Sequence, residues 1–128
     1  TKLDGVLVEQ MSGKGVELVV GARRDARWGP VVLVGAGGIL VEAIGDVRLL
    51  PPDLNEEAIA AEIRKLKTAK LLDGFRGAPP ADVSAVAKVA AAIGQLMRNN
   101  PNIVEIDVNP LVAHADGAVA LDALIVTK

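Results

Sequence analysis

The sequence has no cysteine and no tyrosine, and Trp28 and Phe75 are its only aromatic residues. Without cysteine there is no disulfide, no thiolate nucleophile and no zinc–cysteine centre, which suits a protein of the cytoplasm. With so few aromatics, the core has to be built from Val, Leu, Ile and Ala. There is no basic tract: 14 Lys and Arg stand against 16 Asp and Glu, for a net charge of −2. Nucleic acid is therefore not an expected partner. No apolar run reaches membrane-spanning length and no secretory leader opens the chain, so no membrane role is expected either. The sequence starts in strand-like Val6, Leu7 and Val8 without an initiator Met, and we expect it to be one domain cut from a longer polypeptide.

What is present concentrates in residues 103–126, IVEIDVNPLVAHADGAVALDALIV. The pattern predicts two strands joined by a reversal. Alternation sets Val104, Ile106 and Val108 on one face and Glu105, Asp107 and Asn109 on the other. Pro110 should interrupt the ladder, Asp116 and Gly117 supply turn chemistry, and the returning strand carries Asp122. Antiparallel pairing would bring Asp122 toward Asp107 and Asn109. Two carboxylates and an amide oxygen suit Mg2+ or Mn2+, hard cations that keep waters and substrate phosphates in their shell.

The remaining chain reads as strands, helix, helix and then this final pair. Strands are expected at 5–10, 16–24 and 31–34, the last an unbroken apolar run predicted to be buried on both faces. Gly35, Gly37 and Gly38 follow it. They serve either a tight bend or a close approach of backbone N–H groups to phosphate. Neither a P-loop nor a dinucleotide fingerprint fits, because no Gly-Lys-Ser/Thr and no clear helix comes next. Glu42 and Asp46 read as solvated or capping acids. A helix is predicted over 55–72, N-capped by Asn55 and packing through Ile59, Ile63 and Leu66. A second starts at Asp82 and buries Val83, Val86, Ala90, Ile93 and Met97. Arg76, between glycines, either clamps a phosphate or braces its loop, and His114 reads as a solvated turn residue. The fold class is α+β, a mainly antiparallel sheet with two helices packed on one face.

In order along the chain stand VLVEQM (6–11), GVELVVG (15–21), RDARWGPVV (24–32), GAGGI (35–39), LLDGFRG (71–77), EIDVNPL (105–111) and ALDA (120–123). This series resembles the C-terminal half of the ATP-grasp domain of NDP-forming acyl-CoA synthetases (acetate–CoA ligase, ADP-forming) and of related acetyltransferase-fused proteins. The resemblance runs nearly end to end. It implies ATP or ADP as ligand and Mg2+ or Mn2+ as cofactor, with Asp107, Asn109 and Asp122 at the metal. It also implies that Glu9, Gln10 and Met11 form the adenine hinge. Glu17 is then either a ribose ligand or a surface carboxylate. Arg24, Asp25, Gly37 and Gly38 would line the phosphate end. No catalytic nucleophile is carried over, since the family's phosphoryl-carrying histidine has no counterpart here and His114 does not match it. The implied partners are the other ATP-grasp half and a CoA-binding domain or subunit, without which these residues should not turn over. A non-catalytic domain that keeps the fold, and a plain α+β domain with hydrated acids, are the competing readings.

Overall fold

A computed structural model of the chain describes residues 15–37, 45–74 and 79–128. Strands β1 (Val16–Asp25) and β2 (Gly29–Ala36) form a hairpin. Its turn is fixed by Asp25, whose Oδ1 accepts the amides of Arg27 at 2.7 Å and Trp28 at 3.0 Å. Those two bonds, from Trp28 and from Arg27, hold the Asp25 carboxyl below the ordinary carboxylate range. Strand β3 (Val47–Leu50) extends the sheet beyond β2. On the other side of β1 lies β4 (Ile103–His114), the longest strand. Its far edge is shared by β5 (Gly117–Ala120), which pairs with 111–114, and β6 (Ala123–Thr127), which pairs with 103–108. Among the described residues all pairings are antiparallel, in the order β3-β2-β1-β4-β5 with β6 alongside β4.

Among the described residues, two helices cover one face. Helix α1 (Glu56–Ile63) is N-capped by Asn55, whose Oδ1 accepts the Ala58 amide at 2.8 Å. Helix α2 (Val83–Asn99) is capped the same way by Asp82 through Ala85, at 3.0 Å. The expected α2 stripe, Val83, Val86, Ala90, Ile93 and Met97, is buried against Leu18, Val20, Val32, Val34, Ile106 and Val108. Branched aliphatics dominate this core because almost no aromatic is available to fill it. Within α2, Gly94 lies against the Pro52 carbonyl, an approach that a Cβ would obstruct.

Four expectations are corrected. The helix predicted over 55–72 ends at Ile63, and a 3-10 turn (Ala69–Asp73) follows. The cause is Asp46, which is only 3 % exposed. It accepts the amides of Lys67 at 2.6 Å and Thr68 at 2.8 Å and the Thr68 hydroxyl at 2.6 Å. Those amides cannot then continue a helical ladder. The run 31–34 is buried on one face only: Val32 and Val34 meet the helices, whereas Val31 and Leu33 are half-buried on the side the helices leave uncovered. The single returning strand is two, broken at Leu121 and Asp122. His114 ends β4 rather than sitting in a solvated turn, and its carbonyl accepts the Asp82 amide at 2.6 Å.

Candidate functional site

Both of these helices lie on one side, and among the described residues the opposite face of the sheet is open. Alternation along β1 sends Leu18, Val20 and Ala22 into the core and Val19, Gly21 and Arg23 to the open side. On β4 the same rule leaves Glu105, Asp107 and Asn109 on the open side. The cross-strand register is Leu124–Asp107–Gly21–Leu33–Leu49, one row running across five strands. Gly21, with no side chain, makes the floor. A Cβ there would come within 2.7 Å of the Ile106 carbonyl oxygen. The result is a trough of about 480 Å³, lined by Val19, Gly21, Val31 and Leu33 along its floor and by Arg23, Glu105 and Asp107 at its polar end.

Asn109 and Asp122 meet at the edge of this face. Leu111 pairs with Ala120 and Val108 with Ala123, so the register between them sets Asn109 opposite Asp122. The Asn109 amide donates to the Asp122 carbonyl at 3.1 Å, and the Leu121 amide donates to the Pro110 carbonyl at 3.0 Å. Residues directly opposite in an antiparallel pair share a face. Pro110 therefore does not stop β4 on this side. On the β1 side it coincides with a register shift, where Leu18 pairs with Leu111 but Val20 with Val108. Asn109 and Pro110 together oppose the single residue Val19, a bulge that re-aims side chains at the sheet surface. Asn109 and Asp122 are both exposed. One Asp122 oxygen, Oδ1, accepts the Ala123 amide at 2.9 Å, which orients the carboxylate.

The donor set fits a hard divalent cation that also takes phosphate oxygens. Among the described residues no three His, Cys, Asp or Glu side chains form a closed cage. Mg2+ does not need one, since it is typically held by one or two carboxylates with waters and substrate completing the octahedron. Asp107 and Asp122 are two carboxylates, and Asn109 adds a neutral oxygen.

The other expected site residues divide. Glu17 is exposed near the start of β1, at the far end from Arg23. Arg24 is a correction. Alternation turns it toward the helices, where its guanidinium donates to the carbonyls of Met97 at 2.8 Å, Ile103 at 3.0 Å and Asn100 at 3.2 Å. It closes the C-terminal end of α2, where a cation is favoured, and it does not reach the open face. Gly37 is a second correction, because its amide is engaged with the Glu17 carbonyl at 3.0 Å rather than aimed at a ligand. A Cβ at Gly37 would sit 2.8 Å from that carbonyl, so the bend reading accounts for this glycine. Glu9, Gln10, Met11, Gly38, Glu42 and Arg76 lie outside the described residues. The residue that the sequence reading passed over is Arg23. The strand period contained the signal, since it separates two adjacent arginines onto opposite faces.

The ATP-grasp domain family model matches residues 1–127, and the chain belongs to that family. It is 46% identical over 128 residues to a trans-feruloyl-CoA synthase of an unknown prokaryotic organism, covering 98% of this chain and 18% of that one. It is 38% identical over 122 residues to the acetate–CoA ligase [ADP-forming] I subunit beta of Pyrococcus furiosus, covering 95% of this chain and 53% of that subunit. Among solved structures, the dinucleotide-forming acetyl-coenzyme A synthetase 1 of Ca. Korarchaeum cryptofilum, in complex with coenzyme A and Mg-AMPPCP, superposes with a TM-score of 0.84 at 38% identity. That match covers 89% of this chain and 54% of the other. The chain thus spans about half the length, or less, of these relatives.

Proposed function

We propose that the open face is the floor of a magnesium–nucleotide site, and that the chain serves as the C-terminal half of an ATP-grasp unit in an ADP-forming acyl-CoA synthetase. The observation that carries this reading is that Asp107, in the trough, and Asn109 and Asp122, opposite each other at the sheet's edge, share the face that the described helices leave uncovered. The relatives named as ADP-forming CoA ligases, and the related structure that holds Mg-AMPPCP and coenzyme A, support it. The reaction is the reversible conversion of acid, CoA and ATP to acyl-CoA, ADP and phosphate.

In this reading Asp107, Asn109 and Asp122 hold Mg2+ or Mn2+ through their side-chain oxygens. When bound, the cation neutralises charge on the phosphates and polarises the phosphoryl group in transfer. Glu17 accepts the ribose hydroxyls, and Glu9, Gln10 and Met11 lie along the adenine edge, with Gly38 near the phosphates. The chain contributes positioning and charge and supplies no nucleophile. The phosphoryl carrier and the acid and CoA sites belong to other domains or subunits.

Apolar groups left in water support such partners. Trp28 is 80% exposed and Leu49 66%, and both border the trough. Strand β6 shows Leu124 on the open side and Ile125 on the helix side, both more than half exposed. Apolar surface of this kind along an edge strand is normally covered. The other ATP-grasp half is the cover proposed for the trough, and a CoA-binding domain or subunit completes the enzyme. No helix among the described residues is long and apolar enough to cross a membrane, and we assign the enzyme to the cytoplasm.

The test is calorimetric titration of Mg-ADP into the full-length protein and its Asp122→Ala variant. Magnesium-dependent binding that is lost in the variant supports the reading. Equal affinity in both, or no binding to either, overturns it.

A further inference from the structure

The trough is short of positive charge. Its strand positions carry carboxylates at Asp25, Glu105 and Asp107, with Asp122 at the edge, whereas Arg23 is the one cation that lines it among the described residues. A nucleotide brings several negative charges to this surface, so a single metal ion leaves much of that charge opposed by nearby acids. Arg23 is also the less committed of two neighbouring arginines. Arg24 makes three carbonyl hydrogen bonds between 2.8 and 3.2 Å. Arg23 makes one contact, from Nη2 to Glu105 Oε1 at 3.8 Å, and its side chain is 77% exposed. That is well beyond the roughly 2.8 Å of a charge-assisted hydrogen bond. An exposed pair of this kind contributes at most about 1 kcal/mol, so a better acceptor displaces Glu105 readily.

The position on the strand is informative. Asp107 is the next open-side residue after Glu105, and Arg23 pairs in register with Glu105. Arg23 is therefore a diagonal neighbour of Asp107, within reach of a long side chain. Glu17 stands six residues back along β1, about 20 Å away. The two ends of this strand thus carry opposite charges: an acceptor suited to sugar hydroxyls at one and a donor fork suited to phosphate at the other.

We propose that Arg23 is a phosphate-binding residue that leaves Glu105 to take the terminal phosphoryl oxygens of the nucleotide, Glu105 being only its weak acceptor until the nucleotide arrives. This rests on the nucleotide reading of the open face and adds to it the direction in which the ligand lies. Arg23 is the residue that touches ligand, and Glu105 competes with the ligand for it.

The experiment compares wild type, Arg23→Ala, Arg23→Lys and Glu105→Gln in the full-length protein. Calorimetric titrations use Mg-ADP, metal-free ADP in the presence of EDTA, and adenosine. Arg23→Ala should weaken both ADP forms about tenfold, the effect expected from losing a hydrogen bond to a charged group, and leave adenosine unchanged. Arg23→Lys should restore part of the loss, because the charge remains but the two-pronged geometry does not. Glu105→Gln should bind ADP at least as tightly as wild type. An Arg23→Ala protein that binds Mg-ADP like wild type overturns the assignment, and so does an equal loss for adenosine. If that happens while Asp122→Ala still abolishes magnesium-dependent binding, the nucleotide reading stands and only the role of Arg23 falls. If wild type binds no Mg-ADP, both fall together.

Discussion

The Asn109 amide donates to the Asp122 carbonyl at 3.1 Å across the seam where β4 changes partner from β6 to β5. The bond sits between two antiparallel ladders whose register stands an amide and a carboxylate side chain opposite each other. Shifting the returning strand by one residue would move Asp122 to the other face of the sheet. The polar cluster therefore depends on the turn at Asp116 and Gly117, where Gly117 has a φ of 152°.

Arg24 is expected to matter for stability and not for ligand. Arg24→Ala should cost about 2 kcal/mol, since the carbonyls of Met97, Asn100 and Ile103 lose a charged donor. Denaturant unfolding checks this. The affinity of the folded variant for Mg-ADP should stay within error of wild type, the opposite of what is expected at Arg23.

Asp46 links stability to pH. Burial alone would raise its pKa, but the Thr68 hydroxyl, the amides of Lys67 and Thr68 and the Lys67 charge outweigh it and hold the carboxyl below its ordinary value. A group whose folded pKa is depressed contributes stability above its unfolded value, near 3.9, and loses it as pH falls through the folded one. Wild type should therefore lose stability more steeply than Asp46→Asn between about pH 5 and the acid limit. At neutral pH, Asp46→Ala should cost about 3 kcal/mol, because three donors are left without their acceptor. Urea midpoints across pH check both.

Gly94→Ala tests the packing of α2. An alanine inside a helix ordinarily gains about 1 kcal/mol over glycine. Here the added methyl meets the Pro52 carbonyl, a backbone group that cannot swing aside, and overpacking of this kind costs about 1–3 kcal/mol. The expected sign is destabilising, read as a lower denaturation midpoint at unchanged m-value.

Much of this was legible in the sequence. The helix caps Asn55 and Asp82 and the α2 stripe follow local rules, and the structure keeps them. The alternation of Glu105, Asp107 and Asn109 is equally local, and it put the polar face in view. What was not legible depends on contacts far apart in the chain. Nothing local to residues 64–68 says that a buried Asp46 will take the amides of Lys67 and Thr68 and stop α1. Arg24 looked like a phosphate ligand because its motif was read as a string, when its direction is set by the pleat and by the end of α2. The same pleat, applied one residue earlier, leads to Arg23.

Mn2+–ADP added to the isotope-labelled full-length protein tests the central claim most directly, because the paramagnetic ion broadens the backbone amide signals nearest to it. The account predicts the greatest loss of intensity at Asp107, Asn109 and Asp122, a smaller loss along β1 at Gly21 and Arg23, and the least at α1. Greatest broadening on the helix side of the sheet, or no selective broadening of β4 and the Asp122 seam, would contradict it.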